Sequence, residues 1–497
     1  FGEPRAAYDV VRETWQGLLG GASFEKRWRR VLHDGVLDGH AGSFARPPRA
    51  DAPLRPGALT ALQEQVAGNA RPGEGALELA FRPSWALWDG RFANNGWLQE
   101  TPDPVTKLAW DNAALMSPAT MAARGLADEE VVALSVGGRR VEMPAWGVPG
   151  LADGTVVVTL GYGRDAAGRV GSGVGVNAYP LRTSDAPWLV SGLTIEPTGR
   201  RYPLATTQEH GSMEGRPVVR EATLAEYRAH PGFAAEAVEM PPLEQPFPHH
   251  DYASGPQWGM SIDLTVCTGC NACMLACQSE NNVPVVGKEQ LRNGREMHWL
   301  RVDRYFVEKG EGAGMDDPEV VFQPVPCMQC ENAPCEQVCP VAATTHDSEG
   351  LNVMVYNRCI GTRYCSNNCP YKVRRFNFFN YTKDKPEVER LGMNPDVTVR
   401  SRGVMEKCTY CTQRINAAKL SAKLEERSLR DGEVVTACQQ ACPTRAITFG
   451  DIRDTESEVS RAKSENRSYA MLAELNNRPR TTYLAKIRHP SPDLEGA

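Results

Sequence analysis

The sequence predicts an α+β chain of several domains, in which a β-barrel is followed by a cysteine-rich domain of duplicated build. Three observations predict it. All 15 cysteines fall between Cys267 and Cys442, in four tight runs. At Leu77 the hydrophobic pattern changes from helical to short alternating strands, and it keeps that character to about Tyr202. Residues 241–250 are rich in proline, and such a linker is extended and semi-rigid. A chain of 497 residues makes about two to four domains. The expected boundaries are a helical region over 1–75, the barrel over 76–240, the linker over 241–257, the cysteine-rich domain over 258–452 and a polar tail over 453–497.

The elements follow in order. Residues 8–37 place Trp15, Leu18, Leu19, Phe24, Trp28 and Leu32 on recurring faces and read as helix. Residues 46–57 hold four prolines and read as loop. Leu77–Arg82 alternates, Val131–Val136 runs to the Gly137-Gly138 turn, and Arg139–Met143 returns. Turn pairs Pro149-Gly150 and Asp153-Gly154 precede a strand over Thr155–Leu160. Between them a helix is expected over Ser117–Arg124, with Ser117 as cap, Pro118 at the first helical position and Gly125 as stop. Farther on, strands are expected over Asn352–Tyr356 and Ala446–Phe449, and helices over Gln413–Leu429 and Tyr469–Leu475.

The runs are Cys267-x2-Cys270-x2-Cys273-x3-Cys277, Cys327-x2-Cys330-x4-Cys335-x3-Cys339-Pro340, Cys359-x5-Cys365-x3-Cys369-Pro370, and Cys408-x2-Cys411 with Cys438-x3-Cys442-Pro443. Three close thiolates with a fourth before proline form the ligand pattern of bacterial ferredoxin clusters. Four runs imply four iron–sulfur clusters and hence electron transfer. Four cubanes need about 16 thiolates, one more than the chain holds. The gap is at Thr362, where an even spacing would put the second cysteine of the third run. A hydroxyl is a poor iron ligand beside a thiolate, so three 4Fe-4S clusters and one 3Fe-4S cluster are expected. Zinc sites usually draw four ligands from two pairs, whereas the first run packs four cysteines into residues 267–277. A disulfide framework would be dispersed through a small chain, and no Cys-x2-Cys is followed by histidine, as covalent haem attachment requires.

Other features read more plainly. Net charge is −6, which points to no nucleic-acid partner. No apolar run of 18 residues exists to span a membrane. The first residues show neither a basic nor an apolar leader segment, and the absent initiator Met suggests a processed chain or a fragment. The glycines of Gly161-Tyr162-Gly163 and Gly171-Ser172-Gly173 lack the spacing of a dinucleotide loop and read as turns at a barrel rim. His249 and His250 read as solvated linker residues rather than metal ligands, and His346 as a turn residue. Lys372, Arg374, Arg375, Phe376, Phe378, Phe379 and Tyr381, with Arg363 and Tyr364, are expected to pack beside clusters and tune their potentials.

In two-cluster ferredoxins the last cysteine of one run ligates the cluster of the other. The four runs resemble a duplicated ferredoxin with the second unit inserted into the first. That analogy, rather than the spacing, implies the ligand sets: Cys267, Cys270, Cys273 and Cys442; Cys277, Cys408, Cys411 and Cys438; Cys327, Cys330, Cys335 and Cys369; and Cys339, Cys359 and Cys365 for the three-iron cluster.

The stretch Cys359-Ile360-Gly361-Thr362-Arg363-Tyr364-Cys365 through Cys369-Pro370-Tyr371 resembles the four-cluster subunits of the molybdopterin oxidoreductase superfamily, such as those of dimethyl sulfoxide and polysulfide reductases. Residues 95–112, Asn95-Gly96-Trp97 through Trp110-Asp111-Asn112, resemble the molybdopterin-dinucleotide-binding β-barrel of the partner subunit in those enzymes. Both on one chain is similar to the iron–sulfur subunits of alternative complex III. The resemblance implies a molybdopterin-dinucleotide-binding-like barrel, preceded by a helical remnant and followed by the duplicated ferredoxin-like iron–sulfur domain. It implies a quinol-oxidising respiratory complex on the periplasmic face of the bacterial cytoplasmic membrane. The implied partners are an NrfD-type quinol-binding membrane subunit, multihaem cytochrome c subunits and a terminal oxidase. It implies no molybdenum cofactor and no bond-making catalytic site on this chain, with Cys339, Cys359 and Cys365 nearest the quinol. The alternative is the electron-transfer part of a molybdenum-dependent reductase.

Overall fold

The computed structural model describes residues 7–37, 56–68, 77–242, 248, 250–309 and 314–489. These fall into two compact units, Phe1–Ala70 and Arg71–Ala497. In the first, the expected helix is two, Ala7–Leu19 and Phe24–Asp34, because Gly20 and Gly21 both take positive φ between them. Leu19, Phe24 and Trp28 form its buried core. A further helix spans Ala58–Gly68. Most of the expected proline-rich loop, residues 46–55, lies outside the described residues.

In the second unit six strands close a barrel: β1 Leu77–Arg82, β2 Ala114–Met116, β3 Glu130–Val136, β4 Arg139–Gly147, β5 Thr155–Thr159 and β6 Leu189–Arg201. Their order is β1-β5-β2-β4-β3-β6, with β6 returning to β1. The strand β1 alternates buried and half-buried residues, so Leu77, Leu79 and Phe81 point into the core beside Val156 and Val158 of β5. The helix behind the Ser117 cap is short, Pro118–Ala122, and the Ser117 hydroxyl accepts from the Thr120 amide at 3.0 Å. Gly161 sits so close to Gly90 and Trp88 that a Cβ would lie 2.9 Å from their backbone atoms, which makes it a turn at the barrel rim.

The cysteine-rich part is built on a four-stranded sheet, with β7 Trp258–Asp263, β8 Ile447–Asp451, β9 Ser468–Tyr469 and β10 Thr481–Leu484 in the order β8-β7-β10-β9. β7 pairs antiparallel with β8 and parallel with β10. Residues 453–484 are therefore part of this domain rather than a polar tail. The helix expected over Tyr469–Leu475 is instead the end of β9 and a 3₁₀ turn, Ala473–Leu475, between left-handed Leu472 and Asn476. The expected strand over Asn352–Tyr356 stops at Met354, and the expected helix over Gln413–Leu429 spans Thr412–Leu424. No helix among the described residues is long and apolar enough to cross a membrane.

Residues 100–112 join barrel to cysteine-rich domain. The buried Glu100 carboxylate accepts from the Val286 and Gly287 amides, at 2.9 and 2.8 Å, and from the Trp110 indole at 3.2 Å. Burial, against these donors, pushes its pKa up to about 7. The buried Lys107 Nζ donates to the Val302 carbonyl at 2.6 Å, and Asn271 donates to the Pro102 carbonyl at 2.8 Å.

Candidate metal centres

The cysteine runs fold alike because each needs a left-handed residue. Asn271 (φ 63°, ψ 5°) follows Cys270 and opens the helix Ala272–Glu280. Arg363 (φ 62°, ψ 0°) follows Thr362 and opens the turn Tyr364–Asn367. Thr362 thus stands on the same local backbone as Cys270, with an oxygen in place of a sulfur. Each Cys-Pro run turns again three residues on, at Ala342, Lys372 and Arg445, all with positive φ. The turn aims an amide back at the sulfur: Ala343 N–H donates to Cys339 Sγ and Ala446 N–H to Cys442 Sγ, both at 3.2 Å. Met405 and Ala437 amides do the same for Cys359 and Cys411 at 3.4 Å. Such N–H donors stabilise thiolate charge without adding a proton to the sulfur.

The fold brings thiols of different runs together. Cys273 interacts with Cys438, Cys267, Cys270 and Cys442; Cys277 with Cys408, Cys411, Cys438 and Cys273; Cys330 with Cys327, Cys335 and Cys369; and Cys365 with Cys359 and Cys339. The expected sets adjoin one another. Cys273 interacts with Cys438, expected in the second, and Cys408 with Cys327, expected in the third. Arg374 bridges the third and fourth through Cys335 and Cys365.

Burial, then mutual repulsion, raises the thiols of Cys273, Cys277 and Cys330 well above the ordinary cysteine value. Burial likewise brings Cys438 to about 12, and Cys267 and Cys335 to about 11. Several buried thiolates are stable together only around a cation. None of the 15 cysteines forms a disulfide, and among the described residues no three sulfurs lie within 4.8 Å of one another. Four sulfurs at about 2.3 Å from a tetrahedral zinc would stand only about 3.8 Å apart. The sets are therefore too open for a single zinc ion, and their donors fit a larger cage of iron and sulfide.

Buried cations line the sets. Arg374 donates to Cys335 Sγ at 3.1 Å, to Asn352 Oδ1 at 2.8 Å and to Thr344 Oγ1 at 3.0 Å. Lys407 is fully buried, donates to the Cys408 carbonyl at 2.8 Å, and its charge partly offsets the burial that raises Cys330, Cys335 and Cys408. Neither Lys107 nor Lys407 stands out in the sequence, because a lone lysine normally reads as a solvated surface residue. Of the cation–aromatic segment, Arg374 is the member that touches a thiol. Arg375 instead pairs with Glu296 at 2.6 Å.

The three-thiol set is partly open, with Cys339 and Cys359 half-buried and Cys365 buried. Burial raises Cys339, but the amides of Val341, Ala343 and Thr344 outweigh it and leave the thiol below its ordinary value. Thr362, Arg363, Arg295, Glu296, Phe376 and Phe378 line a cleft of about 360 Å³ beside this set. Arg363 lies over the Phe376 and Phe378 rings at 5.3 and 5.6 Å. Ile360 and Tyr364 next to it are 66% and 55% exposed, so an apolar rim faces outward. His346 is a strand residue in Thr344–His346, not a turn residue, and His250 of the linker lies against it. His249 lies outside the described residues.

Buried thiols grouped from four cysteine runs define a multi-cluster iron–sulfur protein. Family models described as 4Fe-4S dicluster domains match residues 266–343 and 318–390. Over 234 residues, 46% of this chain, it is 43% identical to the iron–sulfur cluster-binding subunit of menaquinone reductase from Nitratidesulfovibrio vulgaris, covering 89% of that protein. It is 36% identical to a putative dimethyl sulfoxide reductase iron–sulfur subunit from Halobacterium salinarum, covering 78% of it. It is 33% identical to an iron–sulfur subunit of an Hdr-like menaquinol oxidoreductase from Archaeoglobus fulgidus, covering 82%. The chain belongs to this family of 4Fe-4S iron–sulfur subunits of oxidoreductase complexes. It carries multiple 4Fe-4S clusters and serves electron transport. A likeness to acetylene hydratase from Pelobacter acetylenicus has a TM-score of 0.19 at 16% identity, over 29% of this chain and 20% of that one, and has no bearing on the fold.

Proposed function

We propose that this chain is the electron-transfer subunit of a membrane quinol-oxidising respiratory complex of the alternative complex III type. The observation that carries the reading is the grouping of buried thiols from four runs, with Cys339, Cys359 and Cys365 beside a cleft lined by Arg295, Arg363, Arg374, Arg375, Phe376 and Phe378. Bound iron–sulfur clusters supply one-electron redox chemistry. The chain's own residues space the sets, bury them, and compensate their charge through Arg374, Lys407 and backbone amides. Cys339, Cys359 and Cys365, with Thr362 at the missing position, hold a 3Fe-4S cluster nearest the quinol; the other twelve cysteines hold three 4Fe-4S clusters in the sets above. Ile360 and Tyr364 would meet an NrfD-type membrane subunit, and multihaem cytochrome c subunits and a terminal oxidase would follow on the periplasmic side. The relatives named for menaquinone and menaquinol support this class.

The six-stranded barrel is proposed to be the molybdopterin-dinucleotide-binding-like domain, retained as a scaffold without molybdenum. Its role here is to dock residues 100–112 against the first thiol set. The second reading, part of a molybdenum-dependent reductase, is favoured by the relative named for dimethyl sulfoxide reductase. Metal analysis of the intact complex separates the two: molybdenum at one per complex supports the reductase, and its absence with active quinol oxidation supports the respiratory complex.

A further inference from the structure

We propose that His250, Glu336 and His346 bind a single divalent cation of the zinc class, beside the Cys327, Cys330, Cys335 and Cys369 set but separate from its thiols. One ligand atom from each of the three residues lies within 4.8 Å of the others. Glu336 Oε1 is 2.7 Å from His346 Nδ1, and Oε2 is 3.8 Å from His250 Nε2. The two imidazole rings stand 4.6 Å apart.

The tautomer is set by the backbone. His346 Nε2 lies 2.8 Å from the Cys330 carbonyl oxygen. A carbonyl only accepts, so Nε2 carries the proton, and in the neutral ring Nδ1 is a bare lone pair. That atom is buried, on a side chain with no exposure, and has no hydrogen-bond partner although a carboxylate oxygen stands 2.7 Å away. Two acceptors face each other at that distance only with positive charge between them. Anchoring the far ring nitrogen on a carbonyl is the arrangement by which proteins orient metal-binding histidines. Glu336 is oriented too, by Asn352 Nδ2, which donates to Oε1 at 2.8 Å. Two imidazoles and a carboxylate form the donor set of open zinc sites, which leave a fourth position. The buried Tyr252 hydroxyl, also without a partner, is nearby, its ring 6.2 Å from that of His346.

Such an ion would pin the linker, through His250, to the loops that shape the third thiol set. It would also bear on that set electrically. Asn352 orients Glu336 and accepts from Arg374 at 2.8 Å, and Arg374 donates to Cys335 Sγ at 3.1 Å.

The test uses the full chain with its clusters intact, stripped of adventitious metal by a mild chelator and then given zinc. The expected result is one zinc per chain beyond the iron. Zinc-edge X-ray absorption should show nitrogen and oxygen neighbours at about 2.0–2.1 Å and no sulfur at about 2.3 Å. His250→Ala removes a side chain that is 46% exposed. It should weaken zinc binding by about 100-fold or more and leave the iron content unchanged. No zinc bound tighter than about 10 μM, as a plain ion pair of Glu336 with protonated His346 would give, overturns the proposal. So does a sulfur-containing shell, or an affinity unchanged by His250→Ala.

Discussion

Replacing Arg374 with glutamine removes a buried positive charge that serves two thiol sets at once. The guanidinium is 3.1 Å from Cys335 Sγ and also interacts with Cys365. A unit charge about 5 Å from the redox centre, at an effective dielectric of about 20, is worth about 3 kcal/mol. At about 59 mV per tenfold for one electron, that is about 140 mV. A cation favours the reduced, more negative centre, so its loss lowers the potential. The centre on Cys327, Cys330, Cys335 and Cys369 should drop by about 140 mV. The centre on Cys339, Cys359 and Cys365 should drop less, and that on Cys267, Cys270, Cys273 and Cys442 hardly at all. Arg374→Lys should restore most of the loss. Redox titration of the intact protein followed by electron paramagnetic resonance reads all of these. A shift below about 30 mV, an upward shift, or an equal shift at the Cys267 set would refute the charge-compensation reasoning.

Other perturbations have equally definite outcomes. Thr362→Cys places sulfur on the backbone that already matches Cys270; it should convert the three-iron signal of the oxidised protein toward a four-iron one and lower the potential, and an unchanged spectrum contradicts the ligand assignment. Cys365→Ser should abolish quinol oxidation while the signals of the distant centres persist; normal turnover would show that electrons enter elsewhere. Glu100 has a folded pKa of about 7 against an ordinary 4.5, so the folded state holds the extra proton and stability falls as pH rises from about 4.5 to 7. Glu100→Gln keeps one acceptor oxygen for the Val286 and Gly287 amides, so it should raise the unfolding free energy at pH 8, by up to about 3 kcal/mol; a lowered value there would mean that the carboxylate itself holds the joint.

What the sequence makes legible is local. The cysteine spacing and the gap at Thr362 are short-range patterns, and the folded loops repeat a positive φ just before the second position of each run, at Gly269, Gln329, Gly361 and Tyr410. The strand over Leu77–Arg82 shows its alternation openly because one face packs into the barrel. The missed features depend on contacts between distant segments. Thr481–Leu484 is four residues long and joins β7 in parallel from the far end of the chain, so its short alternation read as tail. Lys107, Lys407 and Glu100 are buried charges whose partners are backbone groups, for Lys107 and Glu100 far along the chain. His250 and His346 each look ordinary alone and acquire meaning only when the linker folds back onto the hairpin.

The central claim is that sulfurs from four segments hold four iron–sulfur centres, one lacking an iron. Iron and acid-labile sulfide in the anaerobically purified protein test it most directly. Three 4Fe-4S centres and one 3Fe-4S centre give about 15 iron atoms per chain, with a three-iron signal in the oxidised state. Far less iron with no labile sulfide, or a full complement with no three-iron signal in the oxidised protein, would contradict it.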